Sequence, residues 1–229
     1  MAVLNTIMAE ALDDVATRLE PHAGTPEFKS VVRELIRELV TKHDRIIFNG
    51  NGYSDEWVKE AEQRGLPHIK TTPEALEVLS RPDTIALMEK YGVLSRSELL
   101  ARKEIQLESF EKLIDIEAKT CLNMLRTIYL PAIATQMTEI CGTVGAIQAA
   151  GLTAGLKAAT HKAEEIGTLY DTLAPQVEAL AVAIDAGEPF AMRAAMEQAR
   201  QTVDALEAVV DAALWPVPTY AQMLNIHSR

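Results

Sequence analysis

The chain has 229 residues, 48% of them apolar, 24% charged and only 5% aromatic, with a formal net charge of −11 and a sequence pI near 5.0. That acidity argues against nucleic acid as a partner, because an acidic surface repels phosphates. The longest uncharged run, residues 140–156, is shorter than the roughly 20 apolar residues a membrane span needs and carries four glycines, so no membrane association is expected.

Residues 3–19 place Val3, Leu4, Ile7, Met8, Ala11, Leu12, Val15, Ala16 and Leu19 at helical spacing, and Glu20-Pro21 ends the run. A second helix is expected from about Pro26 to Lys42, with Thr25 as its N-cap and Pro26 in its first turn. Ile46, Ile47 and Phe48 read as a short strand stopped by two Asn-Gly pairs. After them Ser54 caps a helix with Asp55 and Glu56 at its positive end, and Gly65 closes it. A short helix starts at Thr72-Pro73-Glu74, and another runs from about Asp83 to Gly92.

Ser95 and Glu98 form the S-x-x-E pattern that opens a helix. Apolar residues then recur through Leu100, Leu107, Ile114, Cys121 and Ile128. Beyond Pro131 the stripe of Leu125, Tyr129, Ile133, Met137, Ile140, Val144 and Ile147 keeps its phase. A hairpin would reset that phase, so a single kinked helix of about 50 residues is predicted, roughly 75 Å long at 1.5 Å per residue. Further helices are expected at about 158–185, with a kink or break at Pro175, and at about 190–213, joined by the turn Asp185-Ala186-Gly187-Glu188-Pro189. Trp215 and Tyr220 are expected to pin the proline-bearing tail onto this antiparallel bundle. The fold class is therefore mainly α: a short strand-turn-helix segment followed by a long-helix antiparallel bundle.

Few residues carry a chemical signature. Gly50-Asn51-Gly52 offers G-x-G but lacks the third glycine or the lysine of a phosphate loop, and reads as a tight turn whose Gly and Asn residues adopt φ > 0. His161, Glu164 and Glu165 share a helix face, but a di-metal bundle needs two Glu-x-x-His units. Cys121 lies on an apolar stripe, and Cys141 is about 30 Å away along the predicted helix, so neither a reactive thiol nor a disulfide is expected. No catalytic, cofactor-binding or metal-binding residue is assigned. The start of the chain has no basic, apolar leader pattern, and with two unpaired cysteines this suits a cytoplasmic protein.

Five blocks together resemble the C-terminal part of type III glutamine synthetases: VLNTIMAEALD (3–13), IFNGNGYSDEWVKEAEQRGLPHIKTTPEAL (47–76), YGVLSRSEL (91–99), IDIEAKTCLNM (114–124) and LWPVPTYAQML (214–224). The resemblance implies an enzyme that ligates ammonia to glutamate with ATP and Mg²⁺ and assembles into double-ringed oligomers. It also implies that the family's metal, nucleotide and phosphate ligands precede the block at Val3. On that basis residues 1–94 would be the end of the catalytic domain and 95–229 a helical C-terminal extension. The chain is then expected to be a C-terminal fragment of a glutamine synthetase: a scaffold that supports oligomers, binds no cofactor and catalyses nothing alone. Its partners would be the remainder of the catalytic domain and further copies of itself. The alternative is an independent, non-catalytic helical interaction module. If a covering sheet is missing, Val3, Leu4, Ile7, Met8 and Ile46–Phe48 should form an exposed apolar patch.

Overall fold

A computed structural model describes residues 2–224, and these divide into two units, with the division between Phe110 and Glu111.

In the first unit, α1 (Ala2–Leu19) ends in a 3₁₀ turn at Glu20–His22, and Gly24, at φ 78°, turns the chain toward α2 (Phe28–Lys42). The second helix begins two residues later than the sequence suggests, and Glu27 stands at its cap. Thr25 does not cap it, because its hydroxyl donates to the carbonyl of His22 at 2.8 Å. Arg18 forms an ion pair with Glu38, linking α1 to α2. The helices α3 (Asp55–Gln63), α4 (Thr72–Leu76) and α5 (Pro82–Lys90) follow. Ser54 Oγ accepts the Trp57 N–H, and Gly65, at φ 73°, lets the Leu66 N–H reach back to the Ala61 carbonyl. A small core forms where Ile85 and Met88 of α5 meet Leu99, with Leu79 and Leu94 packed around them.

The strand expected at Ile46–Phe48 does not form. Asp44–Ile46 is a 3₁₀ turn, and no strand occurs among the described residues. A strand needs a ladder partner, whereas here the carbonyls of Arg45 and Ile47 accept from Arg64 Nη1 at 3.3 and 2.9 Å.

The helix α6 (Arg96–Met124) opens on the predicted capping box. The Ser95 N–H donates to Glu98 Oε2 at 2.8 Å, and the Glu98 N–H donates to Ser95 Oγ at 3.3 Å. No hairpin interrupts the chain at Pro131. A five-residue π-turn, Leu125–Tyr129, leads directly into α7 (Leu130–Ala149), with the Leu130 N–H bonded to the Leu125 carbonyl. Pro131 sits in the first turn after it. A helix that widens just before a proline accommodates the missing N–H and the bulk of the ring.

Gly151 and Gly155, at φ 67° and 83°, make the turn into α8 (Leu156–Ala186). This helix contains Pro175 without a break. Gly187 and Pro189 then form the turn into α9 (Pro189–Glu207), which ends about six residues earlier than expected. Within the second unit α8 packs between α7 and α9, and Ile133, Ile166, Leu173, Leu180 and Leu206 are fully buried there. Gln136 Oε1 accepts the Asp211 N–H at 2.8 Å, fixing the chain where it leaves α9. Trp215 is buried beside Tyr129, and Tyr220, which opens the short α10 (Tyr220–Leu224), donates to Asp204.

Candidate interaction surfaces

Three surfaces stand out among the described residues. The first is α1. Its apolar stripe points outward, with Val3, Leu4, Ile7, Met8 and Leu12 all exposed, Leu4 at 67% and Leu12 at 61%. Its buried residue is Thr6, at 3%, whose hydroxyl donates to its own helix at the Ala2 carbonyl. The side facing α5 is held by charge: Lys90 Nζ reaches Glu10 and Asp13 at 2.7 and 2.9 Å, and Tyr91 Oη donates to both carboxylates. Lys90 and then Tyr91, as hydrogen-bond donors, hold Glu10 and Asp13 below the usual carboxylate range, and the Lys90 ammonium is correspondingly held well above its ordinary value. A helix whose apolar stripe faces solvent while its buried side chain is a threonine is the reverse of what an isolated globular domain builds.

The second surface is the Asn-Gly segment. Phe48 stacks on Trp57 with ring centroids 4.0 Å apart, Arg64 lies over Trp57 and pairs with Glu60, and the same guanidinium ties down the backbone at Arg45 and Ile47. Neither Gly50 nor Gly52 adopts a positive φ, and no non-glycine among the described residues does, contrary to the tight-turn expectation. Gly50 is needed for space: a Cβ there would come within 2.5 Å of the Phe48 ring. Asn51 Oδ1 accepts the Tyr53 N–H, and the Tyr53 side chain stands fully exposed. Ile46 and Ile47 are exposed as anticipated, whereas Phe48 is half-buried by Trp57. Trp57, Glu60 and Arg64 recur at i, i+3 and i+7, the signal by which this bracket could have been read in advance.

The third is a groove of about 960 Å³ in the second unit, between the C-terminal part of α6 and α9. Ile116, Met124, Leu125, Phe190 and Val203 give it apolar walls, and Tyr129 and Tyr220 also line it. Cys121 lines it too, its thiol pushed up by burial and therefore protonated at neutral pH, while Cys141 is exposed; both thiols are free. Tyr129 is likewise pushed up, chiefly by burial. His161 is exposed, and among the described residues no group of three His, Cys, Asp or Glu side chains could hold a metal ion. Among the described residues no helix is long and apolar enough to cross a membrane.

The model of the glutamine synthetase C-terminal domain matches residues 31–148. The chain belongs to that family. Similar proteins include a glutamine synthetase of Butyrivibrio fibrisolvens, 29% identical over 92% of this chain, and a type-3 glutamine synthetase of Dictyostelium discoideum, 28% identical over 97%. A glutamine synthetase of Bacteroides fragilis is 24% identical over 98%. These alignments cover 32%, 32% and 33% of those relatives, so the chain spans about a third of their length. The glutamine synthetase resemblance seen in the five sequence blocks is thus borne out. The matched region begins inside α2 and ends at the penultimate residue of α7, and so includes both the Arg64 bracket and the π-turn.

Proposed function

We propose that this chain is the helical C-terminal part of a glutamine synthetase and serves as scaffold for it. ATP-dependent ligation of ammonia to glutamate would then be carried out with Mg²⁺ and with residues outside this chain, in the cytoplasm. Residues 1–94 would close the catalytic domain and 95–229 would form the helical extension, in an assembly containing several copies. The observation that carries this reading is α1, whose apolar stripe stands in solvent while Thr6 is its buried side chain. A stripe of five exposed aliphatic side chains on one helix calls for a cover. The two-thirds of each relative that this chain does not span is the natural one.

The test is co-expression with the remaining part of a type III glutamine synthetase supplied as a separate chain. The two should co-purify and form glutamine together, while this chain alone forms none. Leu4→Asp with Met8→Asp should abolish co-purification. Glutamine formation by the purified chain alone, or co-purification that survives the double substitution, would overturn the proposal. The alternative, an independent helical interaction module, draws support from the well-buried core of the second unit. It would be favoured if the chain alone is monodisperse and binds no hydrophobic dye.

A further inference from the structure

We propose that two copies of this chain pair groove to groove through their second units. Phe190 of each copy would seat against Ile116 and Met124 of the other, and Glu117 of each would face Arg193 of the other. This rests on the self-association proposed above, and it gives that association a surface distinct from α1.

The walls of the groove are helical faces. Ile116, Thr120 and Met124 recur at i, i+4 and i+8 on α6, and Phe190, Arg193 and Glu197 at i, i+3 and i+7 on α9. Apolar side chains on both walls offer a seat for the apolar side chains of a second copy. Ile116 and Phe190 stand exposed on opposite walls, at 61% and 50%.

Charge selects the occupant. Arg200 is already matched by Glu197 and Asp204 at 3.4 and 3.5 Å, and Tyr220 donates to Asp204. That leaves Glu117 on one wall and Arg193 on the other, neither with an ion-pair partner among the described residues. A small anion would meet three carboxylates against two guanidinium groups, which disfavours it. A surface carrying one unmatched acid and one unmatched base on opposite walls complements itself under a two-fold axis, where residue i meets j and j meets i.

The test measures the mass of the full chain by analytical ultracentrifugation. All forms carry Leu4→Lys and Met8→Lys, which removes association through α1. The parent should be a dimer. Glu117→Arg alone and Arg193→Glu alone should each weaken the dimer about tenfold or more, since each creates two like-charge contacts per dimer. The double reversal should restore it. Both side chains are exposed, so circular dichroism should stay unchanged throughout. A monomeric parent, single reversals without effect, or a double reversal as weak as the singles would each overturn the proposal. Failure here would leave co-purification through α1 unaffected, so the two proposals fail separately.

Discussion

Gly50 illustrates a glycine chosen for room instead of for backbone freedom. Its Cβ position is occupied by the Phe48 ring, whereas nothing lies within 4 Å of a Cβ at Gly52. Gly50→Ala should therefore push Phe48 off Trp57 and cost about 1 kcal/mol, the usual worth of such a ring pair. Gly52→Ala should be close to neutral. Trp57 fluorescence together with urea midpoints would separate the two, and equal effects would refute the packing argument. Buried polar atoms obey a stricter rule. Gln136 is buried and its Oε1 takes the Asp211 N–H, so Gln136→Leu leaves that N–H without its partner. The expected cost is about 1–3 kcal/mol, read as a lowered urea midpoint with unchanged slope.

At the scale of elements, the seam between α1 and α5 should respond to pH. Glu10 and Asp13 titrate below their ordinary values of 4.5 and 3.8, because Lys90 and Tyr91 donate to their ionised forms. A depressed carboxyl contributes stability that is present above its ordinary value and is lost as pH falls through the folded value. Amide exchange in α1 should accordingly accelerate on acidification below that range relative to α8, and Lys90→Met should abolish the difference. Exchange in α1 that is insensitive both to acid and to Lys90→Met would refute the seam.

How legible these elements were in the sequence depended on how local their causes are. The caps at Ser54 and Ser95 and the closure at Gly65 follow from side chains within a few residues, and all three were readable. The phase of the apolar stripe across Pro131 foretold an unbroken helix, but not the π-turn that absorbs the proline. The strand at Ile46–Phe48 failed because β-propensity cannot supply a partner, and Arg64, seventeen residues from Ile47, took the carbonyl instead. Of the surfaces, the α1 stripe was visible as periodicity, and its outward direction followed from the resemblance. The groove was not visible at all, since it depends on where α9 lies beside α6.

On the scale of the whole molecule, the two units should differ in resilience. The first rests on a short core around Met88 and Leu99, while the second buries full-length helical faces through Ile166, Leu173, Leu180 and Leu206. Met88→Ala should cost about 2–5 kcal/mol by opening a cavity. In a core that small, the loss should melt α5 while leaving α8 and α9 protected, as hydrogen exchange would show. Uniform loss of protection in both units would instead mean that they unfold together.

The widened turn at Leu125–Tyr129 has one more implication. Each residue of an α-helix advances the next by roughly 100°, whereas a π-turn takes up an extra residue within about the same rotation. Excising one residue there, Thr127 for example, would let the wide turn relax to ordinary pitch without shortening either arm noticeably. Because the wide turn already takes up that residue within about one turn, Ile133 and Gln136 would keep the partners that now enclose them. A deletion within the regular part of α7 would instead rotate every side chain beyond it by roughly 100°, so the wide turn is the point at which this helix can give up a residue.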